Sequence, residues 1–103
     1  MPDEKNKITV VIDEDLEDLI PEFLELTQKD VASMRSGLTT GDYETVQRTG
    51  HSLKGCGAGY GFDRISEIGG RIESLAQSKN NDRISPLVEE LADYLQRLDI
   101  VYE

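Results

Sequence analysis

Residues 50–61 read GHSLKGCGAGYG and hold the one histidine, the one cysteine and five of the nine glycines of the chain. An imidazole titrates near physiological pH, so its neutral, nucleophilic form is available there. Lys54 follows His51 by one helical turn, and an ammonium at that distance can pair with the oxygens of a phosphoryl group carried on the ring. Gly55 removes a side chain that would crowd an incoming donor. The stretch suits phosphoryl acceptance. It holds no nucleotide loop and no acidic pocket for a divalent cation, so metal and electrostatic stabilisation must come from a partner.

Other chemistries fit less well. The dinucleotide fingerprint GxGxxG fails because glycines counted from Gly55 or Gly57 fall at alternate positions and no strand precedes them; the Walker pattern GxxxxGK[ST] is absent. No second histidine or cysteine stands at ligand spacing from His51, so no metal site is expected. Cys56 is five residues on, about 140° around a helix, and cannot meet His51 from the same segment.

A helix over these residues sorts them by face. At about 100° per residue, Leu53 shares a stripe with Val46, Gly50, Gly57 and Tyr60, and His51 lies about 200° away. The His51 stripe carries Glu44, Gln47, Arg48, Lys54, Gly55 and Ala58 and reaches Phe62. Each mid-helix glycine costs about 0.5–1 kcal/mol against alanine, so each needs a reason. Gly50 and Gly57 would let a neighbouring helix approach closely, while Gly55 and Ala58 would clear space around the imidazole. Gly59 has no assigned role. Cys56 reads as a small packing residue, and Tyr43, Tyr60, Tyr94 and Tyr102 as core or rim. Glu44, Gln47, Arg48 and Ala58 are the candidate partner-facing residues.

The remainder of the chain must position this face. Its 103 residues bear a formal charge of −10, which disfavours nucleic acid and anionic membranes as partners. Hydrophobic residues make up 37% and recur regularly, against disorder. No apolar run approaches a membrane span, MPDEKNK lacks a secretory pattern, and a lone cysteine makes no internal disulfide; a cytoplasmic protein is expected. Residues 1–12 read as a lead-in, with Ile8–Ile12 extended and without a strand to pair with. Residues 13–103 read as one bundle domain. The acidic run from Asp13 opens a helical segment, and Pro21 either breaks it or sits in the first turn of the next helix.

Phe23, Leu24, Thr27, Val31, Met34 and Leu38 mark the first long helix, closed by Gly37 and the Thr39–Asp42 segment, with Thr40 or Asp42 as the next cap. The second helix is expected from about Asp42 to Tyr60. Asp63 caps a third bearing Ile65, Ile68, Ile72 and Leu75. After a polar connector at 78–82, a fourth carries Ile84 through Val101, with Pro86 in its first turn. The expected fold is all-α, an antiparallel up-down four-helix bundle with a short N-terminal extension or extra helix.

His51-Ser52-Leu53-Lys54-Gly55 followed by Ala58, Tyr60 and Gly61, with Ile68-Gly69 and Ile72-Glu73 downstream, resembles the histidine-containing phosphotransfer (HPt) family. The resemblance implies a bundle that relays phosphoryl groups in a two-component phosphorelay. It would take them from a histidine kinase or a receiver-domain aspartate and pass them to a response regulator. It implies His51 as phosphoacceptor, Lys54 as phosphate-stabilising cation and Gly55 as access for the receiver. It also implies a carrier rather than an enzyme, with no cofactor of its own and Mg²⁺ on the partner receiver. A monomer is the expected state. Two other readings stand beside it: a non-phosphorylated helical adaptor, and an enzymatic bundle using His51 as general base.

Overall fold

A computed structural model of the chain describes residues 6–103; the start of the expected lead-in, residues 1–5, lies outside them. Four helices, α1 (Ile20–Thr40), α2 (Tyr43–Gly57), α3 (Asp63–Gln77) and α4 (Asn81–Arg97), follow one another through short connections. Such connections force consecutive helices antiparallel. α1 packs on α2 and α4, and α3 packs on the same two, which closes the ring of a four-helix bundle. The core is the apolar stripe of each helix: Met34, Val46, Ile65, Ile68, Ile72, Ile84, Val88 and Leu91 are fully buried. Thr27, the one buried polar residue among the described residues, donates its hydroxyl proton to the Phe23 carbonyl at 2.9 Å.

The caps place the helix starts. Pro21 sits in the first turn of α1, where its missing N–H is no loss, and Asp13 instead caps a short 3₁₀ turn, Glu14–Leu16. Gly37 does not close α1. It is buried inside the helix, where a Cβ would stand 2.9 Å from Val46 Cγ2, and the helix runs on to Gly41 at φ 77°. Asp42 caps α2 by accepting from the Thr45 N–H at 3.2 Å and its hydroxyl at 2.7 Å. Asp63 is not a cap but the first residue of α3, after Phe62. Asn80 caps α4, so Pro86 falls beyond the first turn and leaves one carbonyl of that helix without its usual donor.

The two ends of the chain depart from expectation together. Ile8–Ile12, here β1, is not an unpaired lead-in: it forms a parallel pair with Leu98–Tyr102, here β2, in the register Ile8↔Leu98 to Ile12↔Tyr102. The expected last helix therefore stops at Arg97, short of Val101. Burial along β2 alternates, with Leu98, Ile100 and Tyr102 turned inward, the period of a strand laid on a core. Parallel strands need a long crossover, and here the crossover is the bundle itself. Ile12 is buried at the end of the ladder and reaches Gly61 in the turn after α2. No helix among the described residues is long and apolar enough to cross a membrane.

Candidate functional site

The site is built on the α2–α3 contact. A Cβ on Gly50 would lie 2.8 Å from the Gly69 carbonyl oxygen and 2.9 Å from the Glu73 nitrogen. A Cβ on Gly69 would lie 2.8 Å from the Gly50 carbonyl oxygen and 2.9 Å from the Lys54 nitrogen. Two bare backbones thus meet face to face, closer than any pair of side chains allows. Gly57 extends the seam, 2.7 Å from the Ser66 nitrogen by the same measure. Ser66 closes it: its hydroxyl accepts from the Ala58 N–H at 3.0 Å and donates to the Lys54 carbonyl. The end of α2 is therefore fixed to α3 through backbone atoms.

That close approach brings Glu73 under His51. Its Oε2 is 2.8 Å from His51 Nδ1 and its Oε1 is 3.7 Å from Lys54 Nζ. The carboxylate is mostly covered, at 18% side-chain exposure, whereas the imidazole is 72% exposed. A carboxylate only accepts, so Nδ1 carries the proton and donates it to Glu73. In the neutral ring the lone pair then resides on the other nitrogen, Nε2. Glu73 orients the ring and fixes its tautomer, as a carboxylate does for imidazoles in acid–base sites generally.

The rest of the His51 face divides by contact. Gly55 has open space where a Cβ would go, as does Gly59, while Ala58 is exposed. Glu44 and Arg48 are exposed and only 3.9 Å apart, a weak pair, and Gln47 is half-buried. Beside Arg48, Asp30 of α1 lines a shallow depression with Ser52, and burial pushes its carboxyl above the ordinary range. Lys54 lays its stem across Gly70, where a Cβ would stand 3.4 Å from Lys54 Cδ.

Val46, Gly50, Leu53 and Gly57 are buried as the phase of α2 requires, and Tyr60 stacks on Phe23 at 4.5 Å. Phe62 does not belong to the histidine face. The helix has ended, a turn through Gly61 redirects the chain, and Phe62 is fully buried with its ring 5.7 Å from Phe23. Cys56 is not a packing residue but exposed. Glu73 is the contact that spacing within α2 could not supply. The signal for it was the pairing of Gly50 with Gly69, which sets the cross-helix register and puts the residue one turn after Gly69 beside position 51. Among the described residues no cluster of three metal-ligating side chains forms.

Comparison with known proteins adds one finding. A model of the Hpt domain family matches residues 18–100. No curated protein and no solved structure gave a significant match. Hpt domains are phosphocarrier modules of two-component signalling that interact with receiver domains and histidine kinases. A match over most of the length, on a four-helix bundle that presents an exposed histidine, shows that the chain belongs to the Hpt domain family.

Proposed function

We propose that His51 is the phosphoacceptor and that its Nε2 takes a phosphoryl group from a receiver-domain aspartate or a histidine kinase and returns it to a response regulator. The observation that carries this reading is the 2.8 Å contact between Nδ1 and Glu73, which in the neutral ring makes Nδ1 the donor and puts the lone pair on Nε2 of an exposed side chain. For an aspartyl phosphate donor, the Nε2 lone pair attacks phosphorus and the bond from phosphorus to the aspartate oxygen breaks. The electron pair leaves with the aspartate as carboxylate. No proton has to move, because Nδ1 keeps its own. The ring then bears a positive charge that Glu73 offsets, and the reverse step delivers the group onward.

Lys54 follows His51 by one helical turn and holds its ammonium 3.7 Å from the glutamate that holds the ring, and that ammonium pairs with the phosphoryl oxygens once they are on the imidazole. Gly55 leaves the approach open, and Glu44, Gln47, Arg48 and Ala58 frame the surface the partner covers. The carrier brings no cofactor; the divalent cation sits on the receiver. It acts as a monomer in the cytoplasm, without nucleic acid or membrane. Incubation with phosphorylated receivers and active sensor kinases tests the reading. Acid-labile, base-stable label on the wild type and none on His51→Gln is expected, and undiminished label on that variant would refute it. A non-phosphorylated adaptor takes no label from any donor.

A further inference from the structure

A groove of about 460 Å³ leaves the site at Lys54, crosses α3 and ends on α4 at Arg83, with Arg71 and Leu75 between. A second depression continues it, sharing Arg71, Leu75 and Arg83 and adding Asp82 and Leu87. The carboxylates facing it are Glu67 in the first part and Asp82 in the second. In the first part Arg71 and Arg83 face Glu67, while the Lys54 ammonium is shared with Glu73 at 3.7 Å, so two unengaged cations stand against one acid on a chain whose formal charge is −10.

The two arginines differ from the others in the described bundle. Arg35, Arg64 and Arg97 are each engaged, at 2.7, 2.9 and 3.1 Å, by Glu89, Glu90 and Asp93, and Arg48 stands 3.9 Å from Glu44. Arg71 and Arg83 are exposed and form no ion pair among the described residues. With 21 acidic residues in the chain, two adjacent unpaired guanidinium groups leave a local positive surface on a negative protein.

We propose that this groove seats an acidic element of the receiver domain that exchanges phosphoryl groups with His51, with Arg71 and Arg83 setting approach and partner choice. The inference rests on the phosphotransfer reading of His51. The partner's chemistry supplies the complementarity: a phosphoryl-bearing aspartate and the carboxylates that hold its divalent cation make that side of the encounter anionic. A chain of charge −10 repels such a surface from most directions. The groove is the cationic approach, and it is continuous with the site because Lys54 belongs to both. The half-buried Leu75 and Leu87 give an apolar floor on which a partner helix or loop can rest. Charges at the rim of an interface act mainly on association rate and discrimination.

The test compares the wild type with the double variant Arg71→Glu/Arg83→Glu. Phosphoryl transfer is measured from a panel of phosphorylated receivers at low and high salt. His51 is labelled in parallel with phosphoramidate, a small donor that needs no docking. We expect transfer from the preferred receiver to fall about tenfold or more at low salt and its salt dependence to flatten. Phosphoramidate labelling and the thermal melt should stay as in the wild type, and Arg71→Lys/Arg83→Lys should keep most of the rate. Unchanged transfer in the charge-reversed variant, with phosphoramidate labelling intact, overturns the groove while leaving His51 as acceptor. Absence of label from both donors on the wild type overturns the phosphotransfer reading and the groove with it. Retention of the wild type on phosphatidylglycerol vesicles, lost in the variant while transfer is unchanged, would assign the arginines to a lipid surface and also overturn the proposal.

Discussion

Gly50 and Gly55 lie in the same helix, five residues apart, and alanine at the two positions should act with opposite sign. At Gly55 a Cβ meets nothing within 4 Å, so Gly55→Ala gains only the helix propensity, about 0.5–1 kcal/mol. At Gly50 the Cβ would sit 2.8 Å from the Gly69 oxygen, 2.9 Å from the Glu73 nitrogen and 3.3 Å from the Glu73 Cα. These neighbours are all backbone, so α2 and α3 must separate by several tenths of an ångström. Overpacking of this kind costs about 1–3 kcal/mol, and the propensity gain offsets only part of it. A net loss of about 0.5–2 kcal/mol remains. At about 4 °C per kcal/mol for a domain of this size, Gly50→Ala should lower Tm by about 2–8 °C and Gly55→Ala should raise it by about 2–4 °C. Far-UV circular dichroism melts under identical conditions give both values. The separation should also take His51 away from Glu73, so Gly50→Ala should lose its fixed tautomer in nitrogen NMR while Gly55→Ala keeps it. Gly50→Ala melting at or above the wild type would refute the seam of bare backbone.

Other outcomes follow from the same contacts. Glu73→Gln should weaken the hold on the Nδ1 proton and mix the ring tautomers, slowing transfer about three- to tenfold for the loss of one charge-assisted hydrogen bond worth about 1 kcal/mol at a partly exposed site; single-turnover kinetics and nitrogen NMR check it. Lys54→Ala should shorten the lifetime of phosphohistidine with no change in melt, read by following label decay. Thr45 holds the Asp42 carboxyl below the ordinary carboxylate value through its hydroxyl and backbone hydrogen bonds. That contribution is therefore fully present above the unfolded value near about pH 3.9 and is lost as pH falls through the lower folded one. Asp42→Ala should accordingly be less stable than the wild type at neutral pH, with the difference closing only in acid, as denaturant titrations across pH would show. Ile12→Ala should cost about 2–4 kcal/mol if β1 belongs to the core as its burial indicates; an unchanged melt would mean that the strand pair is dispensable.

The helices were legible because their evidence is local. Ile65, Ile68 and Ile72, or Ile84, Val88 and Leu91, repeat at three-and-four spacing within one element, and the same phase correctly turned Gly50, Leu53 and Gly57 inward and His51 outward. The strand pair was hidden for two reasons. Leu98 and Val101 continue the helical spacing of Leu91 and Tyr94 as well as Leu98, Ile100 and Tyr102 fit alternation, and the partner strand lies at the other end of the chain. What decides between them is tertiary: Ile8–Ile12 supplies a ladder, and Arg97 donates to the Asn6 carbonyl at 2.7 Å at the junction. Glu73 was visible only as a motif letter. A glutamate beside Ile72 on an amphipathic helix is indistinguishable from a solvated one until the register of α2 against α3 is known. Phe62 failed for a related reason, since helical phase carries no information past the turn that ends the helix.

Phosphorylation of His51 is expected on Nε2, because Glu73 occupies Nδ1. Phosphorus NMR of the protein phosphorylated by a receiver domain, combined with peptide mapping, tests both halves at once. A single phosphoramidate on Nε2 of His51, absent from His51→Gln, is expected. Label on Nδ1, on another residue, or on none with every donor tried would contradict it.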